Sequence, residues 1–259
     1  FMAKQTRRHI KAKEKIVLKI KVLSSLAKVF ADEELKDEQW NRGSMLSNEV
    51  YSFQVAYKWS GSLVKKVQVE VASELAPWIE VFSVGLVPSE MPCYADHDDN
   101  ILRSTPGLYP DTLMPLDADG ITFLPEQWRS LWVTIDPKGE AKPGDYAIHI
   151  IFRDSAGEEL GKAEFHIKLM RAKLPEQSLI YTNWFHADCL ATLYGIEVFS
   201  EEHWGRIEQF VRTAVKHGMN MILTPLFTPP LDTEVGGERP TVQLVDVERL
   251  GSKYKFGFD

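Results

Sequence analysis

The sequence predicts a mainly β fold: an antiparallel β-sandwich, then a parallel strand–helix–strand (βαβ) unit and a closing hairpin. Three features point there. Apolar residues recur at period two from about residue 14 to 170, turn chemistry punctuates that stretch, and beyond residue 173 continuous apolar strands flank an amphipathic helix. The 259 residues are 44% hydrophobic and 26% charged. That is enough apolar mass for one large domain or two smaller ones.

Residues 1–13 form a basic terminus, whose Arg7, Arg8, Lys11 and Lys13 read as solvated because no aromatic partners accompany them. The sandwich is expected over 14–172. Ile16, Leu18, Ile20 and Val22 alternate with Val17, Lys19 and Lys21, giving a strand with one buried face. Tyr51, Phe53, Val55, Tyr57 and Trp59 alternate with Ser52, Gln54 and Lys58, the strongest strand signal in the chain. Val67, Val69 and Val71 follow the same rule. Further strands are expected at 129–135, 145–153 and 161–169, the last two joined by the turn Asp154-Ser155-Ala156-Gly157. Residues 86–127 carry six prolines and the cluster Asp96-His97-Asp98-Asp99, and read as a long, mostly irregular excursion. A metal site at His97 is set against a solvated acidic turn; adjacent carboxylates lack the alternate spacing of a calcium loop, which favours the turn.

From residue 173 to 259 the pattern changes. Ser178 to His186 reads as an apolar strand without clean alternation. Ser200 then caps a helix in which Trp204, Ile207, Val211, Ala214 and Val215 recur at helical spacing, Glu201 and Glu202 suit its first turn, and His217-Gly218 ends it. Met219 to Phe227 is a second continuous apolar strand, so strand, helix and strand imply a right-handed parallel unit. A Pro- and Gly-rich loop runs from Thr228 to Pro240, and strands at 242–248 and 253–258 flank the turn Gly251-Ser252. Met221, Ile222 and Leu223 need an apolar cover, from the sandwich, a second copy or another chain.

Charge and composition narrow the function. Net charge is −7, which argues against nucleic acid. Cys93 and Cys189 are too few for a disulfide framework or a thiolate metal site and are expected reduced. No apolar run approaches a membrane span and no secretory pattern is visible; Phe1 ahead of Met2 reads as a vector remnant, so a cytoplasmic protein is expected. No cofactor or metal is expected.

Several strings, in order, resemble glycoside hydrolase family 123 and its related family of unknown function. They are Arg42-Gly43-Ser44-Met45-Leu46-Ser47-Asn48-Glu49 in the front half, then Ile180-Tyr181-Thr182-Asn183-Trp184-Phe185-His186-Ala187-Asp188-Cys189, Glu201-Glu202-His203-Trp204, Lys216-His217-Gly218-Met219-Asn220, and Thr224 through Thr233. The resemblance implies an N-terminal sandwich followed by a (β/α)₈ barrel, and retaining hydrolysis of N-acetyl-β-galactosaminides. In such enzymes the substrate's acetamide oxygen attacks the anomeric carbon, an Asp orients it and an adjacent Glu is acid then base, an exception to the usual facing carboxylates. The adjacent Asp-Glu steps here, Asp32-Glu33 and Asp37-Glu38, both lie in a polar stretch of the sandwich half and read as solvated turns. Residues 178–259 supply 82 residues, against about 250 for a typical barrel. The expectation is therefore the start of an incomplete barrel without its catalytic pair.

Barrel sites lie at the C-terminal strand ends. By that rule Asn183, Trp184, His186 and Asp188 follow the first strand, and Thr224 and Thr228 to Thr233 the second, from which Thr228, Asp232 and, beyond them, Arg239 are drawn. Together they would form part of a subsite for an N-acetylhexosaminide, with Trp184 stacking on the sugar and the polar groups meeting its hydroxyls. The structural alternatives are Trp184 in a core, Asp188 capping a turn and Arg239 paired with Glu238 or Asp246. A non-catalytic carbohydrate-binding or scaffold module is the competing reading; self-association or a completing chain through the open fragment is a third possibility.

Overall fold

The computed structural model describes residues 17–116, 118–224, 233–237 and 244–257. The chain divides into two units, Phe1–Leu174 and Pro175–Asp259. In the first, period-two segments become ten strands: β1 (Leu18–Ser24), β2 (Arg42–Leu46), β3 (Tyr51–Trp59), β4 (Val64–Ala72), β5 (Ile79–Ser89), β6 (Gly107–Pro115), β7 (Ile121–Phe123), β8 (Trp128–Ile135), β9 (Gly144–Arg153) and β10 (Glu159–Met170). They form two five-stranded sheets, ordered β1-β3-β8-β5-β6 and β2-β10-β9-β4-β7. Every pairing is antiparallel except β2 with β10, where Arg42 stands opposite His166 and Ser44 opposite Lys168.

One apolar core joins the inner faces of both sheets. Phe53 of β3 stacks on Phe165 of β10 with centroids 4.1 Å apart, and Tyr57 packs against Phe123 and Phe152. Truncating a fully buried ring such as Phe165 would cost about 3–5 kcal/mol. Burial pushes the Tyr57 hydroxyl up to about 12, against a small opposing effect of Arg129. At the β9–β10 hairpin, Asp154 Oδ1 accepts from the Ala156 and Glu158 N–H groups and Gly157 takes φ +86°, as the turn chemistry predicts.

Two expectations for this unit need correcting. The outer face of β3 is not solvated, since Leu23, Ala27, Val29, Ala56 and Trp128 form a second apolar cluster over it. Gln54 is buried there, donating to Ala27 O at 2.8 Å while accepting from Ser130 Oγ at 3.1 Å, so its amide is satisfied under a covering loop. The excursion over 86–127 is also more regular than its prolines suggest. It contains the end of β5, all of β6 and β7; a proline is tolerated where its missing N–H faces away from the ladder, and β6 is a sheet edge.

The second unit holds β11 (Thr182–Trp184), α1 (Ala187–Tyr194), α2 (Glu201–Lys216), β12 (Met221–Leu223), β13 (Asp246–Leu250) and β14 (Lys253–Gly257). β11 and β12 pair in parallel, Thr182 opposite Met221 and Trp184 opposite Leu223, while β13 and β14 form a hairpin around Gly251-Ser252. The expected long strand over Ser178 to His186 narrows to three residues, and α1, not expected from the sequence, follows it. Its signals are an extended His186 at the N-cap, Asp188 in the first turn and Gly195 at φ 62° closing the C-terminus. The α2 stripe is only partly covered: Ile207 is buried, whereas Trp204 and Val215 are exposed. Met221, Ile222 and Leu223 are 44, 38 and 41% exposed, which is unusual for a parallel pair.

Candidate functional site: the C-terminal ends of a parallel strand pair

The parallel pair is pinned at its N-terminal end. Asn220 Oδ1 accepts from Tyr181 N–H at 2.8 Å and its Nδ2 donates to Leu179 O at 3.1 Å, while Gln177 Nε2 bridges Leu179 O and Gly218 O. At the other end Phe185 N–H donates to Leu223 O at 2.8 Å, extending the register by one step. The residues that leave β11 are thereby held beside Thr224.

Trp184 ends β11, is 66% exposed, and lies with its ring centroid 5.9 Å from that of His186. It is therefore not core in this structure. Asn183 is exposed and donates from Nδ2 to Tyr181 Oη at 3.2 Å. His186 occupies the N-cap of α1 and its Nδ1 is buried without a hydrogen-bond partner. Asp188, 5% exposed, sits in the first turn of α1, where a carboxylate suits the helix dipole. Thr228, Asp232 and Arg239 lie outside the described residues. Asn183, Trp184, His186 and Asp188 are thus gathered within one strand-to-helix connection.

Three further groups stand beside these, of which sequence reasoning named Thr224 and missed Thr182 and His203. Thr182 Oγ1 and Thr224 Oγ1 are buried and unpartnered like His186 Nδ1, so three orphaned polar atoms attend this strand pair. An orphaned buried group costs about 1–3 kcal/mol, and each predicts a partner from ligand, water or further polypeptide. The third is His203, fully buried on α2. Its Nδ1 accepts from Phe199 N–H at 3.0 Å, which leaves the proton on Nε2, and Nε2 donates to Ala187 O at 2.8 Å. His203 thus ties the start of α2 to the first residue of α1, next to His186. Its place in Glu201-Glu202-His203-Trp204, just after the Ser200 cap, was the available signal.

Among the described residues no group of three His, Cys, Asp or Glu side chains is placed to hold a metal. No helix among them is long and apolar enough to cross a membrane.

Residues 184–259 match the family model of the glycoside hydrolase 123 catalytic domain. The chain resembles glycoside hydrolase family 123. A solved family 123 glycoside hydrolase from Clostridium perfringens, studied for glycolipid glycan hydrolysis, superposes with TM-score 0.63 at 15% identity. That likeness covers 80% of this chain and 38% of the other, so the present chain spans well under half of the family 123 enzyme and shares its fold over that part. AvmM, which catalyses macrocyclization in alchivemycin A biosynthesis, follows at TM-score 0.30 and 9% identity over 63% of this chain and 92% of that one. The N-terminal domain of PorA follows at 0.23 and 8% identity, over 60% and 100%. Likenesses that weak carry no argument. No curated protein matches the sequence. The family 123 match begins at Trp184, the last residue of β11, two residues before the His186 N-cap of α1.

Proposed function

We propose that Pro175–Asp259 is the opening of a (β/α)₈ barrel in a glycoside hydrolase related to retaining N-acetyl-β-galactosaminidases that use substrate-assisted catalysis. The observation that carries this reading is the parallel β11–β12 pair, with Trp184 and His186 leaving its C-terminal end inside the segment that matches the family 123 catalytic domain. Asn183, Trp184, His186 and Asp188 form one wall of a sugar subsite; the same role is proposed from the sequence for Thr228, Asp232 and Arg239, which lie outside the described residues. Trp184 offers an exposed indole face for a pyranose C–H face. His186, with its ring centroid 5.9 Å from that of Trp184, supplies a polar group beside that face.

This chain by itself is catalytically incomplete. The acetamide-orienting Asp and the adjacent acid–base Glu have no counterpart at a strand end of the second unit. Of the two Asp-Glu steps, Asp32-Glu33 is engaged on the first unit, both Asp32 oxygens taken by Arg103 at 2.7 and 3.0 Å. The exposed apolar faces of β12 also fit an unfinished sheet, because parallel strands are ordinarily covered on both sides.

The test is release of nitrophenolate from 4-nitrophenyl N-acetyl-β-galactosaminide. The 259-residue chain should give none. A polypeptide that continues with further βα units and an Asp-Glu pair at a strand end should turn the substrate over. Clear turnover by this chain alone would overturn the incompleteness, and inactivity of the longer polypeptide would overturn the reaction class.

A further inference from the structure

The first unit carries an open cavity of about 1050 Å³ that the proposed reaction does not use. Trp40, Asn41, Arg42, Asp145, His166 and Lys168 line it. Trp40 is 51% exposed, yet it is held firmly. Its N–H donates to Val22 O of β1 at 2.8 Å, and the next residue accepts at Asn41 O from His166 N–H of β10 at 2.9 Å, so residues 40–41 are fixed to both sheets. The indole Nε1 donates to Tyr51 Oη at 3.1 Å. Tyr51 stacks on Phe165 at 5.8 Å, and Phe165 stacks in turn on Phe53 in the core. The approach of Tyr51 depends on Gly43, where a methyl group would collide with the tyrosine hydroxyl and crowd the Phe165 ring.

An exposed indole anchored through two stacked rings to a core is a preorganised surface, because its ordering cost has already been met in folding. The polar groups around it are uncommitted. The side chains of Arg42, Asp145 and Lys168 make no hydrogen bond or ion pair among the described residues, and the strand register sets Lys168 opposite both Ser44 and Asp145 on one exposed sheet face. A rigid aromatic plane beside donors and an acceptor of both charge signs matches a ligand with a C–H face and many hydroxyls. A lipid surface or a nucleic acid would want a single sign of charge.

We propose that this cavity is a second, non-catalytic carbohydrate site that takes a short oligosaccharide, Trp40 stacking on one ring and Asp145 with Arg42 or Lys168 bonding to hydroxyls. It is separate from the Trp184 subsite, and the glycoside hydrolase reading enters only in the choice of one probe.

The test is calorimetric titration of the whole chain with three soluble probes: an N-acetylgalactosamine-terminated tetrasaccharide, cellotetraose and a chondroitin tetrasaccharide. At least one should bind at millimolar or lower concentration. In a Trp184→Ala background, which removes any contribution of the other proposed subsite, Trp40→Ala and Asp145→Ala should each weaken that binding by about tenfold or more. The Asp145 side chain makes no internal bond, so Asp145→Ala guards against a folding artefact in Trp40→Ala. Gly43→Ala, whose methyl group would collide with the Tyr51 hydroxyl, should weaken binding as well. No binding by any probe in the Trp184→Ala background, or unaltered binding there in both Trp40→Ala and Asp145→Ala, would each overturn the proposal. The nitrophenyl assay reads the other site, so failure there leaves this result standing.

Discussion

At Arg103 two kinds of interaction converge on one side chain. Its guanidinium binds both oxygens of Asp32, approaches Glu33 at 3.2 Å, and lies 5.1 and 5.4 Å from the ring centroids of Phe30 and Tyr109. Tyr109 Oη donates to Arg103 O and Thr105 O, so the segment around 103 is fastened to residues 30–33. The hydrogen bond from Arg103 holds the Asp32 carboxyl below its ordinary value, against a smaller opposing effect of burial. A carboxyl depressed in the folded state contributes stability that is present above its ordinary value and lost as pH falls through the depressed one. Acidification through that range should therefore lower the amide protection factors over residues 91–106, exchange rates being taken relative to the intrinsic rate at each pH. Arg103→Ala should give the same low protection at neutral pH and remove its pH dependence; undiminished protection in that variant would contradict the clamp. None of this was legible in the sequence. Asp32-Glu33 reads as a solvated turn because its partner lies 71 positions away and no local pattern points to it.

At the scale of elements, α1 and α2 show where sequence reasoning succeeds and stops. The Ser200 cap is as read, its Oγ accepting from His203 N–H at 3.2 Å, because capping is local chemistry. The link from His203 Nε2 to Ala187 O was hidden, since α1 itself is one eight-residue helix behind an apolar string that resembles a strand. Replacing His203 by Ala removes the acceptor of the part-buried Phe199 N–H and strands a buried carbonyl at Ala187. That should destabilise the second unit by on the order of 2–4 kcal/mol, seen as a lower melting transition for that unit with the sandwich transition unmoved. A His203→Ala protein that melts like the parent would show the tie to be incidental. Two of the seven site residues read from sequence, Trp184 and His186, are found side by side; Asp188 is nearby in the chain but buried, placed by a helix that the sequence reading did not contain.

For the whole molecule, period two was the legible part. It yields β3, β9 and β10 nearly end to end, because each has one face in the same core. β2, β5 and β6 were obscured because a parallel edge strand, a bulged strand and a proline-bearing edge strand lack clean alternation. In the second unit the parallel order of β11 and β12 was foreseen from apolar runs, although their lengths were not, since strand ends there are set by Asn220 and the start of α1. What gives this unit its meaning is the pair of strand ends that present Trp184 and His186. The direct measurement is an NMR titration of the seven indole N–H signals with methyl N-acetyl-β-galactosaminide. The Trp184 signal should shift in a saturable way while the sugar stays intact; a Trp184 signal that stays still at saturating sugar would contradict the proposed subsite.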